Sequence, residues 1–210
     1  MSVKKLKTKI TRTKKRAKKT RSKLKQAALD VFSEKSFDAA TVEEITEKAD
    51  VGKGTLYQHF EDKEQIVITL IDEAIEHLIE RIRSFKKQPE TLEKMLDHIL
   101  NAHYEFYINT KEEFLLLSQG KLSLKLQNES SDDLEEPYSR YLKEIENQIS
   151  SYLSSRTKPV KIRRLACAVA GFIFGYFSFS MISMTANEVE MSIKPLRKVF
   201  IKSLRVFLEC

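Results

Sequence analysis

Two cysteines, five glycines, four prolines and no tryptophan in 210 residues leave the chain few staples and few breaks. Cys167 sits in an apolar run and Cys210 ends the sequence. Neither a disulfide framework nor a zinc site is expected, and a reducing cytoplasm fits. Scarce Gly and Pro favour long helices. There is no Gly-rich phosphate loop and no nucleophile motif, and no pair among His77, His98 and His103 has the four-residue spacing that aims two imidazoles at one metal. The expectation is a protein that is not an enzyme, with no metal site and no cofactor. The basic amino terminus is followed by no apolar stretch of the kind a secretory signal needs.

What is present is unevenly placed. Residues 1–65 carry 17 Lys plus Arg against 10 Asp plus Glu, a balance of +7, whereas residues 66–210 carry 20 against 20. The whole formal charge lies in the first third of the chain. Such clustering suits a phosphate polyanion, because each neutralised phosphate releases condensed counterions. Residues 1–19 alone hold ten basic residues and no acid, too polar to order themselves, and are expected to form a disordered basic arm. From Thr20 a helical period begins, with Leu24, Ala27, Ala28, Val31 and Phe32 on one face to about Lys35.

Residues 41–63, TVEEITEKADVGKGTLYQHFEDK, read as a short helix, a tight turn and a second short helix. Thr41 followed by Glu44 is a capping box. Val42, Ile45 and Ala49 face inward, and Asp50 falls where the turn needs a left-handed backbone. Gly52 and Gly54 open the next helix, where absent side chains let backbone amides approach a phosphate. Leu56 and Phe60 point to the core, leaving Thr55, Tyr57, Gln58 and His59 outward, suited to phosphates and base edges in a major groove.

The run FSEKSFDAATVEEITEKADVGKGTLYQHFEDKEQI resembles the DNA-binding region of the TetR-like (tetracycline-repressor-like) transcriptional regulators over about residues 20–70, most specifically from Val51 to Tyr57 with Phe60, Lys63 and Glu64. The resemblance implies a DNA-binding set of Thr41, Lys53, Gly54, Thr55, Tyr57, Gln58, His59 and Lys63. Thr41 and Lys63 fall where the family touches the DNA backbone. Ser36 and Asp50 replace the family's usual Gly, and Thr46 its usual Ala.

Beyond residue 66 the sequence predicts a larger helical body, making the fold all-α with about nine helices: an arm over 1–19, a helix-turn-helix domain over 20–66 and an effector-binding and dimerisation domain over 67–210. A fourth helix runs from Asp62 to about Phe85, then helices from Thr91 to Asn109 and from Lys111 to Gln127. The polar stretch 128–137 reads as a break. Further helices run from about Tyr138 to Ser155, from Pro159 to about Asn187, and from about Val189 to Leu208, and Pro195 suits the first turn of the last one if that helix starts later than Val189. Ala166 to Met184 is uncharged and near the ~20 residues a bilayer crossing needs, but serine and cysteine dilute it, and a core helix covered by its own domain and a second subunit is the simpler reading. The glycines of GFIFG, Gly171 and Gly175, share a face that allows close helix approach.

Aromatic side chains crowd residues 104–114 and 172–179. The effector site is therefore expected at His103, Tyr104, Tyr107, Phe114, Phe172, Tyr176 and Met181, favouring an apolar or aromatic molecule. The first functional reading is a cytoplasmic homodimeric repressor whose heads fit major grooves about 34–36 Å apart until a small effector spreads them. The second is a DNA-binding regulator controlled by a protein partner, without a small-molecule effector. The third is a membrane-associated interaction protein.

Overall fold

A computed structural model describes residues 3–35, 37–127 and 132–209; Ser36, Cys210 and part of the predicted polar break lie outside them. The described residues form α1 (Val3–Glu34), α2 (Val42–Lys48), α3 (Lys53–Tyr57), α4 (Lys63–Arg83), α5 (Leu92–Asn109), α6 (Lys111–Gln127), α7 (Asp132–Ser150), α8 (Pro159–Ser183) and α9 (Ala186–Glu209), with no strand among them. The chain parts into two compact units between Ile71 and Asp72, within α4.

In the first unit, Leu24 and Ala28 of α1, Ile45 of α2, Leu56 of α3 and Ile66 of α4 are fully buried, each Leu or Ile side chain contributing about 1.5–3 kcal/mol. Phe37 packs on Phe32 with ring centroids 5.7 Å apart. In the second unit α8 packs on α7 and α5. Its buried stripe, Leu165, Ala166, Val169, Ile173 and Phe177, shares the core with buried Met95 and Ile99 of α5 and Ile145 and Ile149 of α7. The mean hydropathy of α8 reaches 1.9 over its most apolar window, of which 39% is buried within the chain. One side of this helix therefore belongs to its own unit's core, as expected, and the other side of its uncharged stretch is open.

Several boundaries differ from the sequence reading. Helix α1 starts at Val3 rather than Thr20, so the structure draws residues 3–19 as helix where a disordered arm was expected. Residues 3–35 contain no Gly or Pro, and Lys, Arg, Leu and Ala are good helix formers, so nothing local stops propagation from the packed half of α1. Helix α7 starts at Asp132, inside the supposed break. Helix α9 starts at Ala186, which leaves Pro195 well inside it instead of in its first turn. The cause is a capping box: the Thr185 N–H donates to Glu188 Oε2 at 2.7 Å and the Glu188 N–H donates to Thr185 Oγ1 at 3.3 Å. The carbonyl that Pro195 leaves without an N–H partner belongs to Met191, whose residue is 71% exposed.

Candidate functional site

Three local devices fix the surface formed by α2 and α3. At its start, Thr41 and Glu44 form the predicted capping box, with Thr41 Oγ1 accepting from the Glu44 N–H at 3.2 Å and the Thr41 N–H donating to Glu44 Oε2 at 3.1 Å. At its end, Asp50 has φ 53°, the one left-handed non-glycine among the described residues. Its N–H reaches the Glu47 carbonyl and the Val51 N–H reaches the Thr46 carbonyl, both at 3.0 Å, the two bonds of a Schellman motif. The buried Thr46 hydroxyl is satisfied by the Glu43 carbonyl at 2.9 Å, so this replacement of the usual alanine leaves no orphan. The third device is anchoring from below, by Leu56 and Phe60 at 0% and 2% exposure.

What α3 presents outward follows from that anchoring. Tyr57 is 56% exposed, Lys53 and Gln58 are exposed, and Thr55 and His59 are half-buried. A Cβ placed on Gly52 or Gly54 would meet nothing within 4 Å, so both open onto solvent. The Lys53 ammonium pairs with the Glu43 carboxylate of α2; both side chains are more than half exposed, so a competing anion can displace the pair at little cost. Thr41 is exposed, although its hydroxyl serves the cap.

Lys63 departs from the expectation of an exposed backbone-contacting residue. Its half-buried ammonium donates to the carbonyls of Phe37 and Ala40, each at 2.8 Å, and stands 4.4 Å from the Phe37 ring centroid. Two of its three donors tie the loop before α2 to the start of α4. Arg21 was missed altogether. Its guanidinium donates to the His59 carbonyl at 2.5 Å and lies 4.0 Å over the Phe60 ring, clamping α1 to the end of α3. Its partner is 38 residues away, so no periodic pattern marks it.

The second unit contains a cavity of about 300 Å³ lined by α6, α7 and α8, through Leu117, Ser118, Tyr138, Tyr141, Leu142, Cys167, Ala170, Gly171, Phe174, Gly175 and Ser178. No charged side chain lines it. The Tyr138 hydroxyl donates to the Leu117 carbonyl at 2.9 Å and Ser118 Oγ to the Phe114 carbonyl at 2.9 Å, turning polar hydrogens away from the space. His103 closes the arrangement from behind. Its Nδ1 lies 2.6 Å from the Ile99 carbonyl, which can only accept, so Nδ1 carries the proton and Nε2 accepts from the Tyr141 hydroxyl at 2.6 Å. Burial lowers the His103 pKa to about 4, so the imidazole is neutral near pH 7, and burial pushes the Tyr141 phenol well above its ordinary range.

None of the seven residues expected to form the effector site lines this cavity. His103 is buried behind Tyr141. Tyr107 stacks on Phe177 at 4.4 Å and meets Phe114 edge-on at 5.2 Å, while Tyr104 stacks on Phe177 at 6.1 Å. Aromatic density there means solid packing rather than space. Phe172 and Tyr176 lie instead along an outer groove of α8, where Phe172 stacks on Phe200 at 4.0 Å and Tyr176 bonds Ser192 at 2.6 Å. Met181 is half-buried outside the cavity wall. The close approach expected at Gly171 and Gly175 is not made within the chain: a Cβ on either would meet nothing within 4 Å, and both border the cavity. Tyr138 and Tyr141, which do line it, lie on a helix whose start sequence reasoning took for a loop.

Comparison with known proteins agrees with the first unit's geometry. The sequence model of bacterial regulatory proteins of the tetR family matches residues 24–70. The chain is similar to the transcriptional regulator YvdT of Bacillus subtilis, 26% identical over 126 residues, 60% of this chain and 64% of that protein. It is also similar to the fatty acid metabolism regulator protein of B. subtilis, 32% identical over 78 residues, 37% of this chain and 40% of that protein. These alignments span less than two thirds of either relative's length. Among solved structures, the fatty acid degradation regulator FadR of Bacillus halodurans superposes with a TM-score of 0.68 at 18% identity, covering 89% of this chain and 96% of that one. FadR of B. subtilis in complex with stearoyl-CoA gives 0.67 at 19% identity, covering 86% and 95%. Such likenesses establish the fold, and residues 24–70 match the DNA-binding domain of the tetR family of bacterial regulatory proteins.

Proposed function

We propose that the protein is a cytoplasmic, sequence-specific DNA-binding transcriptional regulator. It acts as a homodimeric repressor released from its operator by an apolar small molecule. The observation that carries the DNA-binding part is Tyr57, an aromatic ring 56% exposed on a helix whose other side is anchored by fully buried Leu56. Around it Lys53, Gly54, Thr55, Gln58 and His59 form a surface of cation, amide, hydroxyl and open backbone that suits phosphates and base edges. Lys53 and Gln58 lie nearer the bases; Thr41 and Tyr57 serve the phosphates, and Lys63 offers its remaining donor to them.

Dimerisation is supported by the outer faces of α8 and α9, where Phe179, Ile182, Met191 and Val199 are between 67% and 83% exposed. Large apolar residues grouped in this way mark an interaction surface. The effector reading is supported by the uncharged cavity, because burying a charge there without a partner costs several kcal/mol. A related fold holds stearoyl-CoA, and an acyl chain is the class that this lining fits.

The test begins with operator fragments selected from the parent genome, followed by titration of the complex with a long-chain acyl-CoA. Hundredfold release requires about 2.7 kcal/mol of differential binding. Gly175→Leu fills the cavity from a position with free space around its Cβ. It should retain operator affinity and thermal stability while losing release. Equal release of wild type and Gly175→Leu overturns the cavity assignment. Absence of release by any apolar compound favours control by a protein partner.

A further inference from the structure

Within the first unit the cationic half of α1 ends beside the residues that follow α3. Arg21 fixes this relation: its guanidinium meets the His59 carbonyl at 2.5 Å and covers Phe60. Lys18 and Lys19 are three and two residues upstream and Lys14, Lys15 and Arg16 five to seven, so at 1.5 Å of rise per residue these cations lie within about two helical turns of that contact. All five are exposed. Thr13, Ala17 and Thr20 continue the line of Leu24, Ala27 and Val31 along the helix, which leaves the cations off the buried seam.

We infer that α1 upstream of Arg21 is a second DNA-contacting element, a cationic helix that engages phosphates flanking the base pairs read by α3. This rests on the DNA-binding reading above. Two physical arguments select a polyanion as its partner. Lys14/Lys18 and Lys15/Lys19 are like-charged pairs four residues apart, which destabilise a helix in water, and phosphates on one side relieve that repulsion. A lipid surface is a poorer match, because the uncharged line of residues 13–20 is Thr, Ala and Thr, and residues 1–19 contain no aromatic to insert. Contacts of this kind raise affinity without adding base specificity.

The experiment compares wild type with a full-length variant carrying Lys14→Gln, Lys15→Gln, Arg16→Gln, Lys18→Gln and Lys19→Gln, substitutions at exposed positions that keep helix propensity. Thermal unfolding confirms that both fold. Fluorescence anisotropy then measures binding across a salt series to a duplex holding only the selected core, and to the same core with about ten base pairs added on each side. On the long duplex the variant should bind at least tenfold more weakly at low salt. The slope of log K against log salt should flatten by about two, since each lost phosphate contact removes about 0.9. On the core duplex the two proteins should bind within twofold, and both should reject a scrambled core. Equal slopes on the long duplex overturn the inference, as does an equal loss on both duplexes. A wild type that prefers no selected core sinks the DNA-binding reading itself and the flank contact with it. Sedimentation of wild type, but not the variant, with vesicles of phosphatidylcholine and phosphatidylserine, together with equal slopes, would assign the helix to a membrane surface instead.

Discussion

The ammonium of Lys63 lies 2.8 Å from the carbonyl oxygen of Ala40, joining the first residue of α4 to the residue before the Thr41 cap. The same nitrogen holds the Phe37 carbonyl, so one side chain satisfies two acceptors of a turn that precedes the recognition unit. Family resemblance alone would read Lys63 as a phosphate contact, whereas the geometry makes it first a brace.

Lys63→Ala should therefore lower the thermal stability of the protein, by about 1.5–3 kcal/mol for loss of charge-assisted bonds in a half-buried site. Operator affinity should fall as well, because the cap that Thr41 provides is displaced. Differential scanning calorimetry with parallel binding curves checks both. A variant with unchanged unfolding but weakened binding would return Lys63 to the role of a simple phosphate contact.

The His103–Tyr141 pair gives a pH prediction whose sign is fixed by burial. Burial depresses the folded pKa of His103 from 6.5 to about 4, so between those values the unfolded chain binds more protons than the folded one. Stability is complete above about pH 6.5 and falls as pH drops toward 4. The loss attributable to this residue is about 3 kcal/mol at 1.36 kcal/mol per unit. In His103→Gln, which can still accept from Tyr141 and donate to Ile99, urea unfolding should show a shallower loss over the same window. Parallel curves for the two proteins would contradict the assignment.

How much of this was legible in the sequence follows the range of the interactions. The Thr41/Glu44 box, the left-handed Asp50 and the inward Leu56 and Phe60 are local signals spanning a few residues, and the structure shows each of them. The cavity was not legible, because it depends on Tyr138, Tyr141, Gly171 and Phe174 meeting across three helices, while the aromatic runs that drew attention pack against one another. The start of α9 was read a few residues late, at about Val189, because the Thr185/Glu188 cap, ten residues before Pro195, went unrecognised. The cationic half of α1 looked too charged to order, a judgement from composition that took no account of the packed helix continuous with it.

For the dimer, Ile182→Glu is the discriminating substitution, because Ile182 is 83% exposed in the single chain and should tolerate a carboxylate there. Light scattering should give wild type twice the 24.4 kDa chain mass at micromolar concentration and the variant a single chain mass, with the variant still folded by circular dichroism. A wild-type monomer under these conditions would contradict the homodimer.

The central claim is that the exposed face of α3 reads DNA, and Tyr57→Ala tests it most directly. Its side chain is exposed and carries no part of the core, so unfolding should be unchanged within about 0.5 kcal/mol. Against the operator selected from genomic fragments, the variant should bind more weakly, with a salt slope lower by about 0.9 for the lost phosphate contact. Equal affinity and equal salt slope for wild type and Tyr57→Ala on that operator would show that this face does not carry the recognition.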